Sequence, residues 1–389
     1  MNTVPHSGSG CTSQAARVWR TGGNRRGIAR AFTLVELLVV IAIIATLVGI
    51  LLPALANARR LAQTVACAAN LHSICQAMRI YATEYNDYIV GSPWTSGYED
   101  SGETVTPPIG QRYDIVTMDD WQSPLAKVMG IQFDDGPSEV DRIARFVQLM
   151  SYKGFTCPSN GYIAPEYSTV GTGWPTITMP SYNTAFIFLE LPMPQDGNLN
   201  EATQAVGHNP LAQGNGFSYW STAGGQNNPN GYVPTISKVG NPSEKIYIAD
   251  GSRYANHTTP PDFDPTPWGS GGSTYADEGS WTSFTNSWDR YWAPGANPSK
   301  TPTGSSVDAR IYAYRHGSQL PFAQSDQMKM NCGFFDGHVQ TMGDLQSANP
   351  SLWMPRNSSV YPAGQVFVDV SKTYFGLKLA SFSAPFITD

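Results

Sequence analysis

The side chains best suited to chemistry lie in two distant parts of the chain. Toward the C-terminus, Arg315-His316 precedes Phe334-Phe335-Asp336-Gly337-His338-Val339, with Asp250 as a further carboxylate upstream. Two imidazoles and one or two carboxylates are a donor set that a metal ion accepts. A structural role explains the same residues with fewer assumptions. Asp336-Gly337 stands between two apolar runs and is a hairpin-turn signal by itself, Asp tolerating and Gly favouring positive φ. We therefore expect His316, Asp336, Gly337 and His338 to form a structural motif. Gly333–Phe335 and Val339–Met342 would pair as its hairpin, with the His316 imidazole hydrogen-bonded to the turn. No metal, cofactor or catalytic residue is assigned, since GxSxG, HExxH, Walker A and dinucleotide-binding patterns are all missing from the sequence. The expectation is a protein that is not an enzyme. At the other end, Glu36 is the one charge in a long apolar stretch. A carboxylate on a membrane-spanning helix costs on the order of 2–3 kcal/mol unless paired, and is usually functional.

The cysteines are Cys11, Cys67, Cys75, Cys157 and Cys332, without a CxxC pair or a zinc-like spacing. Cys67 and Cys75 cannot bridge within one helix, because eight residues rise about 12 Å, beyond disulfide reach. Other pairings among Cys67, Cys75, Cys157 and Cys332 stay open, as do buried free thiols.

The elements that must position these groups begin with the apolar block. Leu37 to Leu52 is uncharged and mostly branched-aliphatic, and with Phe32 to Val35 it reaches about 30 Å as a helix, roughly a bilayer core. An ordinary signal peptide has a shorter apolar region followed by a small-x-small cleavage site; here the block runs on into a helical pattern, with Pro53 at the junction. Residues 1–31 carry Arg17, Arg20, Arg25, Arg26 and Arg30 and no acid. The whole chain carries −6, so residues 32–389 carry −11. A basic head, an apolar run and an acidic body place the N-terminus in the cytoplasm and the body outside it. The acidic body argues against nucleic acid as a partner. Few charges, 10 Trp, 19 Tyr, 37 Gly and 29 Pro suit an exported, turn-rich β domain better than a disordered chain.

The segment Phe32-Thr33-Leu34-Val35-Glu36-Leu37-Leu38-Val39-Val40-Ile41-Ala42-Ile43-Ile44-Ala45 resembles the N-terminus of type IV prepilins and type II secretion pseudopilins. In that family a prepilin peptidase cuts before the Phe and methylates the new amino terminus. The fifth mature residue is a Glu that pairs with the terminal amine of a neighbouring subunit, and a Pro often stands at the twenty-second. Counted from Phe32, Glu36 is fifth and Pro53 is twenty-second. The resemblance implies cleavage and methylation at Ala31–Phe32 and assembly roles for Glu36 and Pro53. Ala31 stands where the family usually has Gly.

Beyond Pro53 no Gly or Pro occurs until Gly91, and Leu71, Ile74, Met78, Tyr81 and Tyr85 make a helical stripe. A single helix over about residues 32–86 is expected, its second half docking on the body. Strands are expected at Tyr182–Glu190, Lys245–Asp250, Ala309–Arg315, Gly333–Phe335, Val339–Met342 and Gln365–Val370. Residues 92–112, 194–231 and 252–305 read as surface insertions. Further stretches resemble a large bacterial group of prepilin-like proteins: Phe155-Thr156-Cys157-Pro158-Ser159, Ser181-Tyr182-Asn183, Ile236-Ser237-Lys238-Val239, Asn241-Pro242-Ser243-Glu244, and the His316…Asp336-Gly337 relation, here with a longer interval than in that group.

The expected organisation is a leader (1–31), a transmembrane prepilin helix (32–53), a helical stalk (54–86) and an exported β-rich domain (87–389) with an insertion around 252–305. The fold class is α+β and pilin-like: a long N-terminal helix packed on an antiparallel sheet. The resemblance implies a subunit held in the bacterial inner membrane by one pass, with its globular domain periplasmic or at the cell surface. Its partners would be a prepilin peptidase, the lipid bilayer and other pilin-like subunits in a pilus-like fibre or secretion pseudopilus. The alternative is an anchored binding module that does not polymerise. In that case Trp268, Trp281, Trp288 and Trp292 are candidates to stack on sugars.

Overall fold

The structure is a computed structural model that describes residues 33–92, 121–133, 144–145, 147–149, 151–160, 181–192, 226–251, 275–276, 312–317, 326–360, 373–374 and 386–389. The chain divides into two compact units, Met1–Ala56 and Asn57–Asp389. It combines a long N-terminal apolar helix with a largely antiparallel sheet, a mixed α+β layout.

Helix α1 runs Leu34–Glu84, 51 residues, close to the span expected from the absence of Gly and Pro after Pro53. It continues through Pro53, although Pro lacks the N–H that would bond to the Gly49 carbonyl. Within the second unit it buries Cys67, Leu71, Ile74, Cys75, Met78 and Tyr81, a stripe at helical spacing. Fully burying a side chain such as Leu71 or Met78 contributes roughly 1.5–3 kcal/mol each. Tyr85, which the periodicity puts on the same stripe, instead lies past the helix end. It is 45% exposed and stacked on Tyr81, with ring centroids 4.1 Å apart. The cause is the C-terminal cap. Asn86 and Asp87 take φ of 54° and 72°, and the Asp87 N–H donates to the Ala82 carbonyl at 2.7 Å. This left-handed turn satisfies an otherwise orphaned carbonyl and takes the chain off the helix axis.

The main sheet has the order β4-β1-β3-β6-β5, with β7 also paired to β6. Its strands are β1 (Tyr182–Ala185), β3 (Ile246–Asp250), β4 (Tyr275–Ala276), β5 (His316–Gly317), β6 (Met328–Phe334) and β7 (Val339–Gly343). A smaller sheet joins β2 (Gln226–Asn227), β8 (Ser359–Val360) and β9 (Phe386–Ile387). Lys329 pairs with both Gly343 of β7 and His316 of β5, while Gly333 pairs with both Val339 of β7 and Ile248 of β3. Strands β3 and β5 therefore follow one another along a single edge of β6, opposite β7. That arrangement sets up the buried cluster described below.

Several expected strands change. Only Tyr182–Ala185 of Tyr182–Glu190 pairs; Phe186–Phe188 winds into a 3-10 turn, every residue of it buried. A run buried on all sides carries no periodicity to separate strand from turn. Of Ala309–Arg315, the described residues 312–315 stand outside the ladder, with the Ala313 N–H donating to the Asp250 carbonyl and the Arg315 N–H to the Ala313 carbonyl, and sheet pairing starts at His316. Strand β6 reaches back to Met328, whereas Phe335 leaves its ladder and donates its N–H to the Lys245 carbonyl. Gln365–Val370 lies outside the described residues, as do the four insertion tryptophans, Ala31 and Phe32, and most of the three insertions. Within residues 252–305, Tyr275–Ala276 forms a short parallel pair with β1.

Helix α1 comes very close to β6 at Gly333. A Cβ there would sit 2.5 Å from Cys75 Sγ and 3.2 Å from Ile248 Cγ2, so the absence of a side chain is what permits the contact.

Candidate functional site

At the start of α1, Thr33 and Glu36 cap the helix reciprocally. Glu36 Oε2 accepts from the Thr33 N–H (2.8 Å) and hydroxyl (2.9 Å), and Thr33 Oγ1 accepts from the Glu36 N–H (3.2 Å). The Thr33 carbonyl takes the first helical bond, from Leu37 N–H. This is a capping box, and Thr-x-x-Glu was legible in the sequence as one. It gives Glu36 a local task that the family resemblance did not suggest. Oε1 has no partner among the described residues. Every Leu, Ile and Val from Leu34 to Leu55 is exposed, on all sides of the helix. The segment is long and apolar enough to cross a membrane.

At the hairpin, β6 and β7 are antiparallel and joined through residues 335–338, with Gly337 at φ 98°. Asp336 Oδ1 accepts from the His338 N–H (3.0 Å) and lies 2.6 Å from His338 Nδ1; the His338 ring stacks on Phe334 with centroids 4.1 Å apart. Helix α1 holds the turn by two side chains. His72 Nδ1 donates to the Gly337 carbonyl (2.9 Å) and Arg79 Nη1 to the Asp336 carbonyl.

His316 is not part of that turn, contrary to the expected hydrogen bond. It pairs with Lys329, five residues from Phe334 along β6, which at about 3.3 Å per residue is roughly 16 Å away. The imidazole that braces the turn is that of His72. Helical position cannot reveal this, because only the docking of α1 brings His72 to residue 337.

His316 instead belongs to a buried cluster. Because β3 ends where β5 begins along the β6 edge, Asp250 and His316 meet opposite Asn331. Asp250 Oδ2 accepts the Asn331 N–H at 2.7 Å and lies 3.1 Å from His316 Nε2. On the other ring nitrogen, His316 Nδ1 is 3.1 Å from Thr64 Oγ1, whose own proton goes to the Arg60 carbonyl at 3.0 Å. A hydroxyl has one proton, so Nδ1 is the donor to Thr64. Asn331 Nδ2 donates to the Thr64 carbonyl (3.1 Å) and lies 3.1 Å from Nε2, while its Oδ1 accepts from Thr341 (2.6 Å). Asp250 Oδ1 is buried without a hydrogen-bond partner among the described residues.

The same cluster holds a disulfide, Cys67–Cys157, with Cα atoms 5.0 Å apart. The Tyr182 hydroxyl donates toward Cys67 Sγ at 3.6 Å. Burial, reinforced by the Asp250 carboxylate, pushes that hydroxyl far above the ordinary phenol range, so it stays a donor. Asn70 Nδ2 ties α1 to the Cys157 loop through the Lys153 (2.8 Å) and Thr156 (3.0 Å) carbonyls, and Gln63 does so through Pro158 (3.2 Å). Arg315 donates to the Ser181 and Gly251 carbonyls, both at 3.0 Å, pinning the residues next to Tyr182 and Asp250. Cys67, Cys157, Asp250 and His316 are all buried, and their ligand atoms lie within 4.8 Å of one another. Cys75 and Cys332 are free thiols; burial pushes both well above the ordinary thiol range, with Asp336 adding to the effect at Cys75 and Asp250 at Cys332.

Compared with known protein families, curated proteins and solved structures, the chain matches none.

Proposed function

We propose that the protein is a prepilin-like or pseudopilin-like subunit, carried by its exposed apolar helix and exporting the second unit from the cytoplasm. The observation that supports this is the helix start. Fifteen aliphatic side chains between Leu34 and Leu55 are exposed all round, and such a surface requires a bilayer or other helices to cover it. The Phe32-Thr33-Leu34-Val35-Glu36 start, with Pro53 in register, favours a processed and assembling subunit over a plain anchor. On this reading a prepilin peptidase cuts between Ala31 and Phe32 and methylates Phe32. Glu36 caps its own helix through Oε2 and offers Oε1 to the Phe32 amine of an adjacent subunit. The protein's role is structural, its N-terminus lies on the cytoplasmic side of the bacterial inner membrane, and its body lies in the periplasm or at the cell surface.

The test begins with N-terminal sequencing of the membrane-extracted protein, where a start other than Phe32 rejects processing at this site. Two variants then separate the cap from assembly. Thr33→Val breaks the capping box, costing about 1 kcal/mol of helix stability, but keeps the charge. Glu36→Gln keeps a capping partner and removes the charge. Crosslinking along the helix should be lost in Glu36→Gln and retained in Thr33→Val. Retention in both variants favours an anchored module that never polymerises.

A further inference from the structure

We propose that Cys67 Sγ, Cys157 Sγ, His316 Nε2 and a carboxylate oxygen of Asp250 form a four-coordinate Zn²⁺ site in the dithiol state of the protein, so that zinc and the disulfide are alternative closures of one buried cluster. Three observations carry this. The four donors already converge within 4.8 Å of each other, and all are buried. Two sulfurs, an imidazole and a carboxylate on a compact tetrahedral scale suit zinc, whereas magnesium and calcium prefer all-oxygen shells.

The second observation concerns tautomer. Thr64 Oγ1 spends its proton on the Arg60 carbonyl, so His316 carries its proton on Nδ1 and turns the Nε2 lone pair into the cluster, where it accepts from Asn331 Nδ2 at 3.1 Å and lies 3.1 Å from Asp250 Oδ2. A zinc ion would take over that lone pair and bring Nε2 and the Asp250 carboxylate to one positive centre, displacing only the Asn331 contact. The Nδ1–H to Thr64 bond is the outer-sphere contact that orients a metal-binding imidazole. The third is the carboxylate itself: Asp250 has one oxygen, Oδ1, buried and without a hydrogen-bond partner among the described residues. A buried carboxylate oxygen left in that condition is costly, and coordination satisfies it.

The supporting residues fit the charge that zinc binding creates. The Tyr182 hydroxyl donates toward Cys67 Sγ, a contact that strengthens when the sulfur is a thiolate. The Arg315 guanidinium lies beside the cluster, bonded to the carbonyls of Ser181 and Gly251. Binding is balanced without electron transfer: both S–H bonds break, two Zn–S bonds form, and two protons leave to solvent. A newly made chain has both thiols before the disulfide closes. In the oxidised protein a water-soluble trialkylphosphine opens the bond, the phosphine becoming its oxide with water supplying the oxygen and both thiol protons.

The test uses the full chain in detergent. Phosphine-reduced protein is titrated anaerobically with Co²⁺ and then Zn²⁺. The expected result is one tetrahedral cobalt per chain with thiolate-to-cobalt charge-transfer bands, displaced by zinc, and no such bands in the untreated disulfide form. Zinc K-edge X-ray absorption of the reduced wild type should show two sulfur neighbours at about 2.3 Å and two lighter neighbours at about 2.0–2.2 Å. Thr64→Val, a positioning change, should weaken cobalt binding roughly 10–100-fold while leaving the two-sulfur spectrum in place. His316→Gln should alter the ligand field itself. Lighter neighbours only, an octahedral cobalt spectrum in the reduced wild type, or unchanged affinity in His316→Gln overturns the proposal. The absorption measurement needs no variant, so a misfolded mutant does not blunt it.

Discussion

The two parts of helix α1 share one backbone regularity and differ in everything their side chains meet. From Leu34 to Leu55 every aliphatic residue is exposed, with polar side chains almost absent. From Asn57 on, the buried apolar residues keep to one stripe, with Leu61, Val65 and Ile80 exposed off it, and polar residues do specific work. Thr64 orients His316, Asn70 holds the Cys157 loop, and His72 and Arg79 hold the Asp336-Gly337 turn. The lesson is that apolar periodicity reports the surroundings for which a helix is built. An apolar surface all round suits a solvent of lipid or neighbouring helices, whereas a stripe suits one protein face.

The contrast is broken most forcefully by paired truncations. Leu71→Ala should destabilise the second unit by about 2–5 kcal/mol, because it empties a fully buried site. Leu47→Ala, exposed within its own unit, should leave the urea midpoint of that transition within about 0.5 kcal/mol of wild type. Equal losses from both would mean that the helix does not divide in this way.

A smaller effect is expected where the second half of α1 braces the hairpin. Gly337 has φ 98°, and a Cβ there would approach Gln76 Nε2 to 2.6 Å. Gln76 is flexible enough to move, so the backbone conformation dominates, and Gly337→Val should cost roughly 1–3 kcal/mol. Chemical denaturation measures it. A neutral outcome would show that the turn tolerates a β-branched residue and that the His72 and Arg79 contacts are not tied to its geometry.

The smallest expected effect is a pH slope confined to the second unit. Lys245 is 2% exposed and donates to the Ser351 and Asp389 carbonyls at 2.6 and 2.7 Å. Burial, chiefly, holds its ammonium down to about 8, against the opposing pull of Glu244 and Asp389. A folded value below the unfolded one means that the unfolded chain binds the proton more tightly. This contribution to stability therefore rises between about pH 8 and the ordinary lysine range and is flat below it, with a slope of at most roughly 1.4 kcal/mol per pH unit. Lys245→Met should remove that slope from denaturant midpoints measured across the window. An unchanged slope would assign the titration to other groups.

Much of the framework could be read directly. The helix span followed from the absence of Gly and Pro, its docking stripe from Leu71, Ile74, Met78 and Tyr81, and the hairpin from Asp336-Gly337, because each depends on neighbours a few residues apart. The Thr33–Glu36 cap has a local signature of the same kind, Thr-x-x-Glu, but the reading of Glu36 as a membrane charge passed over it. What the sequence could not supply was anything set by which strand edges meet. It grouped His316 with Asp336 and His338 and added Asp250 as a further carboxylate; because β5 and β3 share an edge of β6, only Asp250 of the three meets His316. It left the cysteines open, and only the packing of the Cys157 loop against α1 joins Cys67 to Cys157 across 90 residues. Local conformational preference acts through adjacent dihedrals and hydrogen bonds, so it leaves its mark in short patterns. The cluster of Cys67, Cys157, Asp250 and His316 is drawn from a helix, a loop and two strands. Its geometry exists only once long-range burial has brought those elements together.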